Sequence, residues 1–486
     1  MTSFIKIFCI ITLFSLIPSF VDATTYYVDP GGSNANLGTE ELPWLTPQFA
    51  ANIATAGDTV IFKNGVYVLD STGSWRLNRK GSAGAPIIFK AQNKHGAKIA
   101  KDTVGDDATI AIGVYNGASG GWQEYQEMYI ELDGFEITGG KMHGIQSAGS
   151  GQLVIKNCKI HDTGQDSIKI NSGADYLLIE NNEIFNSGIV DPCVNGACNS
   201  DGIDVTSSDF VTIRDNHIHD ILSWGMYVKK GAEYAIIERN KIHDIGYGGI
   251  GIGESTVAYN SIARNNILYN IQWSCLQFSG AKDSKFYNNT CYNVSLVNGA
   301  VWAGLRAVPA QHVDGARPGD DKYSKNVEFK NNIVVLNNDQ GYGYRSSDPS
   351  FGTTTKQQHI LQLHSDNNLF FNLTGGVGYS FFFEGHTDSS LINWRSYSIG
   401  LGNQQDANSL IADPLFESTD PNSDHFLHIR SDSPARGMGA VLNLHVSTDY
   451  NQNPRNAYDI GAFEYVEPGI QPDVIAPTVP SGVSVE

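Results

Sequence analysis

Basic residues are scarce: the 486-residue chain carries 32 Lys and Arg against 51 Asp and Glu, a formal net charge of −19. Nucleic acid is bound by clustered Lys and Arg that displace phosphate counterions, so this balance excludes it as the expected partner. Long apolar runs are rare as well. Beyond the first two dozen residues no stretch approaches the roughly 20 apolar residues of a spanning helix, so no membrane span is expected. Cysteine is sparse, six in all. Cys9 lies in the leader, which leaves Cys158, Cys193, Cys198, Cys275 and Cys291, an odd set with at least one thiol unpaired in a monomer, the expected state. Cys193 and Cys198 stand close together in DPCVNGACNSDG with no His nearby, which fits a local disulfide better than a zinc site.

What is present begins with Lys6, the apolar run IFCIITLFSLIPSF and the small or apolar pattern Val21-Asp22-Ala23. This is the form of a secretory signal peptide spanning residues 1–23, so a secreted, extracellular protein is expected. An acidic protein that handles an acidic polymer needs a cation between the two.

The middle of the chain repeats. NCKIHD at Ile160, NNEIFN at Ile184, DNHIHD at Ile218, RNKIHD at Ile242 and NNILYN at Ile267 recur at steps of 24, 34, 24 and 25 residues. A period in the low twenties, with a short apolar strand, an Asn turn and a second strand, marks one coil of a solenoid. The predicted fold is all-β, a right-handed parallel β-helix over residues 24–466 with a short N-terminal capping helix in QFAANIATA. The long step is the same coil with the Cys193–Cys198 loop inserted. Asn182, Asn216, Asn240, Asn265 and Asn289 are expected to stack as a turn ladder, with Cys158 and Cys291 as structural thiols. IADPLF, SDSPARGMG and YDIGAFEYV are expected to end the coil, and Pro-rich residues 467–486 form a linker resembling the start of a fibronectin type III module.

The strands DSIKINS, DGIDVTS, WGMYVKK, GGIGIGE and SCLQFSG carry the chemistry. Their third and fifth residues are apolar and face inward, so the fourth and sixth face out. One outward row is Lys169, Asp204, Tyr227, Gly251, Gln277, and the next is Asn171, Thr206, Lys229, Gly253, Ser279. Asp166 and Asp201 start their strands beside these rows. Three carboxylates, Asp166, Asp201 and Asp204, on adjacent coils are hard oxygen donors suited to Ca²⁺, although an Asp at a strand start also serves as a turn cap. One coil on stands Lys229-Lys230 beside Tyr227, and the glycines beyond predict an open groove for a sugar chain. A metal that neutralises a uronate carboxylate acidifies the C5 proton, and an unprotonated lysine, Lys229 or else Lys230, can remove it while the O4 bond breaks. Lys169, Tyr227 and Arg306 are the candidate substrate-binding residues, with Arg317 and Arg345 on the same or later loops. His161, His219 and His243 recur at one coil position and read as an ordered ladder, and Trp224 and Tyr247 as packing aromatics.

At these residues the chain resembles polysaccharide lyase family 9, the pectate lyase-like β-helix proteins. The resemblance covers YYVDPGGSNANLGT, AGDTVIFKNGVYV and the coils from Asp166 to Lys230. It implies a Ca²⁺-dependent lyase acting on an acidic polysaccharide, with Asp166, Asp201 and Asp204 as metal ligands and Lys229 or Lys230 as base. Ser200 stands where the family has a further aspartate, so one ligand is either missing or replaced, with Asn199 the candidate replacement. Two other classes stay open: another carbohydrate enzyme on this scaffold, either an epimerase using Tyr227 with a lysine or a hydrolase using Asp201 and Asp204, and a non-catalytic polysaccharide-binding adhesin.

Overall fold

The computed structural model describes residues 23–467, apart from 71–72, 104–107, 114, 117–120, 123–124, 172, 191–198, 254–255, 297–302, 311–315, 319, 338–341, 347–361, 376–379 and 384–385. The leader, the Cys193–Cys198 pairing and the C-terminal linker beyond residue 467 lie outside the described residues.

Three 12-stranded sheets run side by side, each taking one strand from every coil. The first extends from Thr25–Val28 to Leu363–Asp366, the second from Gly65–Val68 to Leu410–Ile411, and the third from Trp75–Leu77 to His386–Asp388. Pairing within them is parallel throughout, except that His386–Asp388 turns back against Ser380–Phe383. The fold is a right-handed parallel β-helix. Alternation explains the strands: Ile168, Ile170, Ile203, Val205, Met226, Val228, Ile250 and Ile252 are all fully buried in one continuous core. Burying each such side chain contributes about 1.5–3 kcal/mol, and a slip of one residue would turn the whole row outward.

The corner between the first and second sheets fixes the register. Each coil turns over one left-handed residue, among them Asn181, Asp215, Arg239, Asn265 and Asn288, where a short polar or flexible side chain tolerates positive φ. The next residue points inward and forms the ladder Asn182, Asn216, Asn240, Asn266, Asn289, Asn332, Asn368. In it the backbone N–H and Nδ2 of each Asn donate to the Oδ1 of the next at 2.9–3.1 Å. One expectation is corrected here. The ladder passes through Asn266 rather than Asn265, because Leu268 and not Ile267 pairs with Ile242 and Cys291. The left-handed residue of each corner is the predecessor of the ladder Asn. Cys158 starts the ladder as expected, its N–H donating to Asn182 Oδ1 at 2.9 Å, and is a free buried thiol. Cys291 sits in the core row but is joined to Cys275 in a disulfide, so it is not a thiol.

Both ends are covered. The helix Pro47–Ile53 begins at Thr46, whose Oγ1 accepts the Phe49 N–H, and buries Pro47, Ala50 and Ala51 over the first coil. A second helix, Leu391–Gly400, closes the far end with Trp394 fully buried beside Phe381 and Phe383. Neither described helix is long and apolar enough to cross a membrane. Beyond Ile411 the chain does not form the expected closing coil. Residues 412–467 double back along the left-handed corner, where Asn367, Asn331, Asn288 and Asn265 donate through Nδ2 to the carbonyls of Met438, Ala440, Asp459 and Thr448. Arg455, buried, pins this strap to Asn265 Oδ1 at 2.9 Å.

Asn240 donates through Nδ2 to the carbonyls of Ile213 and Glu238 as well as to Asn266. Asn240→Ala therefore orphans several buried backbone groups and is expected to cost about 2–4 kcal/mol, whereas Asn181→Gly at the exposed left-handed corner should change stability by less than about 0.5 kcal/mol. Denaturant unfolding of the two variants checks the contrast.

Candidate active site

The third sheet aligns the chemistry-bearing residues. Its register places Lys169, Asp204, Tyr227, Gly251, Gln277 and Arg306 in one outward row, with Thr206 beside Lys229 in the next. The residues that lead into these strands form a parallel column, His143, Asp166, Asp201, Trp224, since Ile145, Ile168, Ile203 and Met226 are paired in sequence.

Asp166, Asp201 and Asp204 are fully buried, and an oxygen from each lies within 4.8 Å of the others. Each of the first two divides its carboxylate between two tasks. Asp166 Oδ1 accepts the Asp201 N–H and Asp201 Oδ1 accepts the Trp224 N–H, both at 3.0 Å, which is the turn-capping role. Their Oδ2 atoms are buried and accept no hydrogen bond of ordinary geometry, with the Ser223 and Tyr227 hydroxyls near Asp201. Asp204 Oδ1 accepts the Thr206 hydroxyl at 3.0 Å and its Oδ2 accepts the Tyr227 hydroxyl at 3.1 Å. Burial, and then the Asp166 carboxylate, push Asp201 well above the usual carboxylate range. An under-coordinated set of three oxygen donors fits a hard divalent cation.

Two lysines close over the cluster. Lys169 pairs with Asp204 and lies 3.5 Å from Asp166 Oδ2, so its ammonium sits inside the acidic set rather than reaching outward. Burial lowers its pKa despite the carboxylates. Lys229 Nζ lies 3.6 Å from Asp204 Oδ2, donates to the Tyr227 hydroxyl at 2.8 Å and stands over the Tyr227 ring. Lys230 occupies the turn that follows, at φ 56°, exposed, with its N–H on Thr256 Oγ1. Among the described residues no ion pair joins Lys230 to the carboxylates.

Arg306 stands three coils beyond Tyr227 and donates to Gln277 Oε1 at 2.7 Å. Arg317 is paired with Glu233 at 2.6 Å, outside the cluster, and Arg345 follows Arg306 in the sheet register. The opening expected at the glycines is filled at Gly248 and Gly251, where the Trp224 indole, 2% exposed, packs and a Cβ at Gly248 would fall 2.2 Å from it. Trp224 thus packs, while the half-buried Tyr247 and Trp273 rings lie 4.7 Å apart in a tilted pair. His143 is the residue the sequence reading missed. It is buried, 3.6 Å from Asp166 Oδ2, and pushed down to about 4 by burial. The signal was available, since HGI aligns with DSI and DGI.

Residues 26–203 match the family model of the Pel9A-like, right handed beta helix region, and residues 201–393 match the right handed beta helix region. A stretch of 69 residues is 35% identical to pectate lyase PEL9 of Emericella nidulans, covering 14% of this chain and 16% of that protein. A stretch of 80 residues is 35% identical to the uncharacterized protein YwoF of Bacillus subtilis, covering 16% of each. The matched stretches thus span 16% of the length of these curated relatives. The crystal structure of pectate lyase Pel9A aligns with a TM-score of 0.58 over 91% of this chain and 96% of that one, at 15% identity. XylC, in complex with xylose, aligns with a TM-score of 0.52 over 91% and 98%, at 14% identity. At such identities the shared property is the fold. The resemblance drawn from the sequence holds, and residues 26–203 carry a Pel9A-like β-helix region.

Removing one partner of a buried ion pair leaves the other charge uncompensated. In metal-free buffer Lys169→Met is expected to destabilise the protein by about 3 kcal/mol, and Lys169→Met/Asp204→Asn to recover at least half of that. Thermal unfolding of the single and double variants in chelator measures both.

Proposed function

With a Pel9A-like β-helix region as the premise, we propose that this protein is a secreted polysaccharide lyase that cleaves a uronic-acid-containing, pectate-like polymer by Ca²⁺-assisted β-elimination, with Lys229 as the base. The observation that carries the proposal is the placement of the Lys229 ammonium at the rim of three clustered carboxylates, 3.6 Å from Asp204 and 2.8 Å from the Tyr227 hydroxyl. Asp166, Asp201 and Asp204 would hold the ion, and Ca²⁺ bound there would neutralise the sugar carboxylate and acidify the C5 proton. Lys229 takes that proton as a free amine. Asp204 and Tyr227 aim its Nζ, and Lys169 offsets part of the negative charge the substrate must approach. Arg306, further along the same row, would meet a carboxylate of a neighbouring sugar.

The geometry weighs against the alternatives. Lys229 and Tyr227 touch, so they address one face of a sugar ring, whereas C5 epimerisation needs proton transfer on opposite faces. All three carboxylates are fully buried, with one oxygen of each within 4.8 Å of the others, whereas the acid and base of a hydrolase must flank an accessible glycosidic bond.

The test is a panel of polygalacturonate, alginate and glycosaminoglycans, each with Ca²⁺ or with chelator, followed by near-ultraviolet absorbance of the unsaturated product. A calcium-dependent rise on one polymer is expected, with Lys229→Ala lowering kcat by about 10²–10⁴ and Lys230→Ala staying within a factor of about three. Asp201→Asn should abolish the calcium dependence. No rise on any polymer, or a rise insensitive to Lys229→Ala, would overturn the proposal.

A further inference from the structure

The outer face of the second sheet carries a second group of metal-ligating side chains, away from the carboxylates of the third. The strand His217–Ile221 presents His217 and His219 two residues apart on one face. Its neighbours Glu183–Ser187 and Lys241–Ile245 align Glu183 with His217 and His219 with His243. One ligand atom from each of Glu183, His217 and His219 lies within 4.8 Å of the others. His243 lies outside this group and meets it through His217, its Nε2 lying 2.8 Å from His217 Nε2.

The hydrogen bonds around these rings set where their lone pairs point. His219 Nδ1 donates to Asp220 at 2.7 Å and His243 Nδ1 donates to Asp244 at 2.6 Å. A carboxylate only accepts, so Nδ1 of each ring carries a proton and Nε2 is the nitrogen left to meet a metal. Carboxylates behind metal-binding histidines act in this way, fixing tautomer and orientation. His219 Nε2 is buried without a hydrogen-bond partner and faces Glu183 Oε1 across 3.7 Å. A cation between His219 Nε2 and Glu183 Oε1 would take a bond from each.

We propose that Glu183, His217 and His219 form a binding site for a borderline divalent cation of the Zn²⁺ type, which clamps two successive coils of the second sheet. Two imidazoles and one carboxylate suit such an ion and not Ca²⁺, which takes oxygen donors. With metal–ligand bonds of about 2.0–2.1 Å, tetrahedral ligand atoms lie roughly 3.3 Å apart. The His219–Glu183 pair, at 3.7 Å, must close by about half an ångström. The proton of His217 moves to Nδ1 as Nε2 takes the metal. The stacked rings of Phe185, His219, His243 and Tyr269 hold the group in place from both ends.

The test uses the purified protein stripped of metal and then supplied with excess Ca²⁺ to occupy the carboxylate cluster. Titration with Zn²⁺ is expected to show one equivalent bound, and His217→Gln or His219→Gln to weaken it by about 100-fold or more, with far-ultraviolet circular dichroism confirming the fold. Asp201→Asn should leave Zn²⁺ binding unchanged. Independently of any variant, the Cu²⁺-loaded protein should show hyperfine coupling to at least two imidazole nitrogens in electron paramagnetic resonance. Failure of the parent protein to bind Zn²⁺, binding retained in both folded His variants, or a copper spectrum with oxygen ligands alone would each overturn the proposal.

Discussion

The coils are held in register by one buried chain of hydrogen bonds, the Asn ladder from Asn182 to Asn368, and every functional position on the outer surface inherits that register. A buried amide is costly unless its donors and acceptor are all used. Here each is used only when successive coils stack with the same residue at the same corner, so the polar group that would be a liability in an ordinary core becomes the feature that excludes a slipped pairing. The apolar rows on either side supply the bulk of the burial, but they would accept Ile, Leu or Val at several registers. The ladder accepts one.

Given that register, the third sheet concentrates charge to a degree that needs explanation. At an effective dielectric constant near 20, two like charges about 5 Å apart repel by roughly 3 kcal/mol. Three carboxylates clustered within 4.8 Å, fully buried, can stay ionised only with compensation. Lys169 and Lys229 provide part of it, and burial, followed by the Asp166 carboxylate, pushes Asp201 upward. Asp166 and Asp201 each keep one buried oxygen that accepts no hydrogen bond of ordinary geometry, an arrangement that costs folding stability and suits the proposed metal site. The backbone-capping oxygens of the same two residues show why they also persist as structural elements.

The solenoid, its repeat, the inward and outward rows and the N-terminal cap were legible in the sequence, because a period-two strand inside a period in the twenties leaves little freedom. Legibility failed where a choice depended on three-dimensional neighbours. NNILYN offers two apolar residues, Ile267 and Leu268, and only the stacked corner decides that the second lies in the core. Cys275 and Cys291 come from different sheets and meet across the interior. The helix Leu391–Gly400 has no clear amphipathic pattern, and the strap beyond Ile411 follows no period at all. In the site, Lys169 was read as outward-facing and available, yet its position beside Asp204 in one row already implied an ion pair. The glycines were read as an opening because a sequence does not show that Trp224, one coil earlier, would lie over them.

The nature of the bond cleavage is the most direct test. Polygalacturonate digested by the protein in heavy-oxygen water, with Ca²⁺ present, yields fragments whose masses identify the reaction. Elimination predicts new ends lighter by one water molecule and no heavy oxygen incorporated through cleavage, with both features absent from Lys229→Ala. Fragments that instead gain one heavy oxygen per bond broken would show hydrolysis, and the assignment of Lys229 and the three aspartates to a lyase would be wrong.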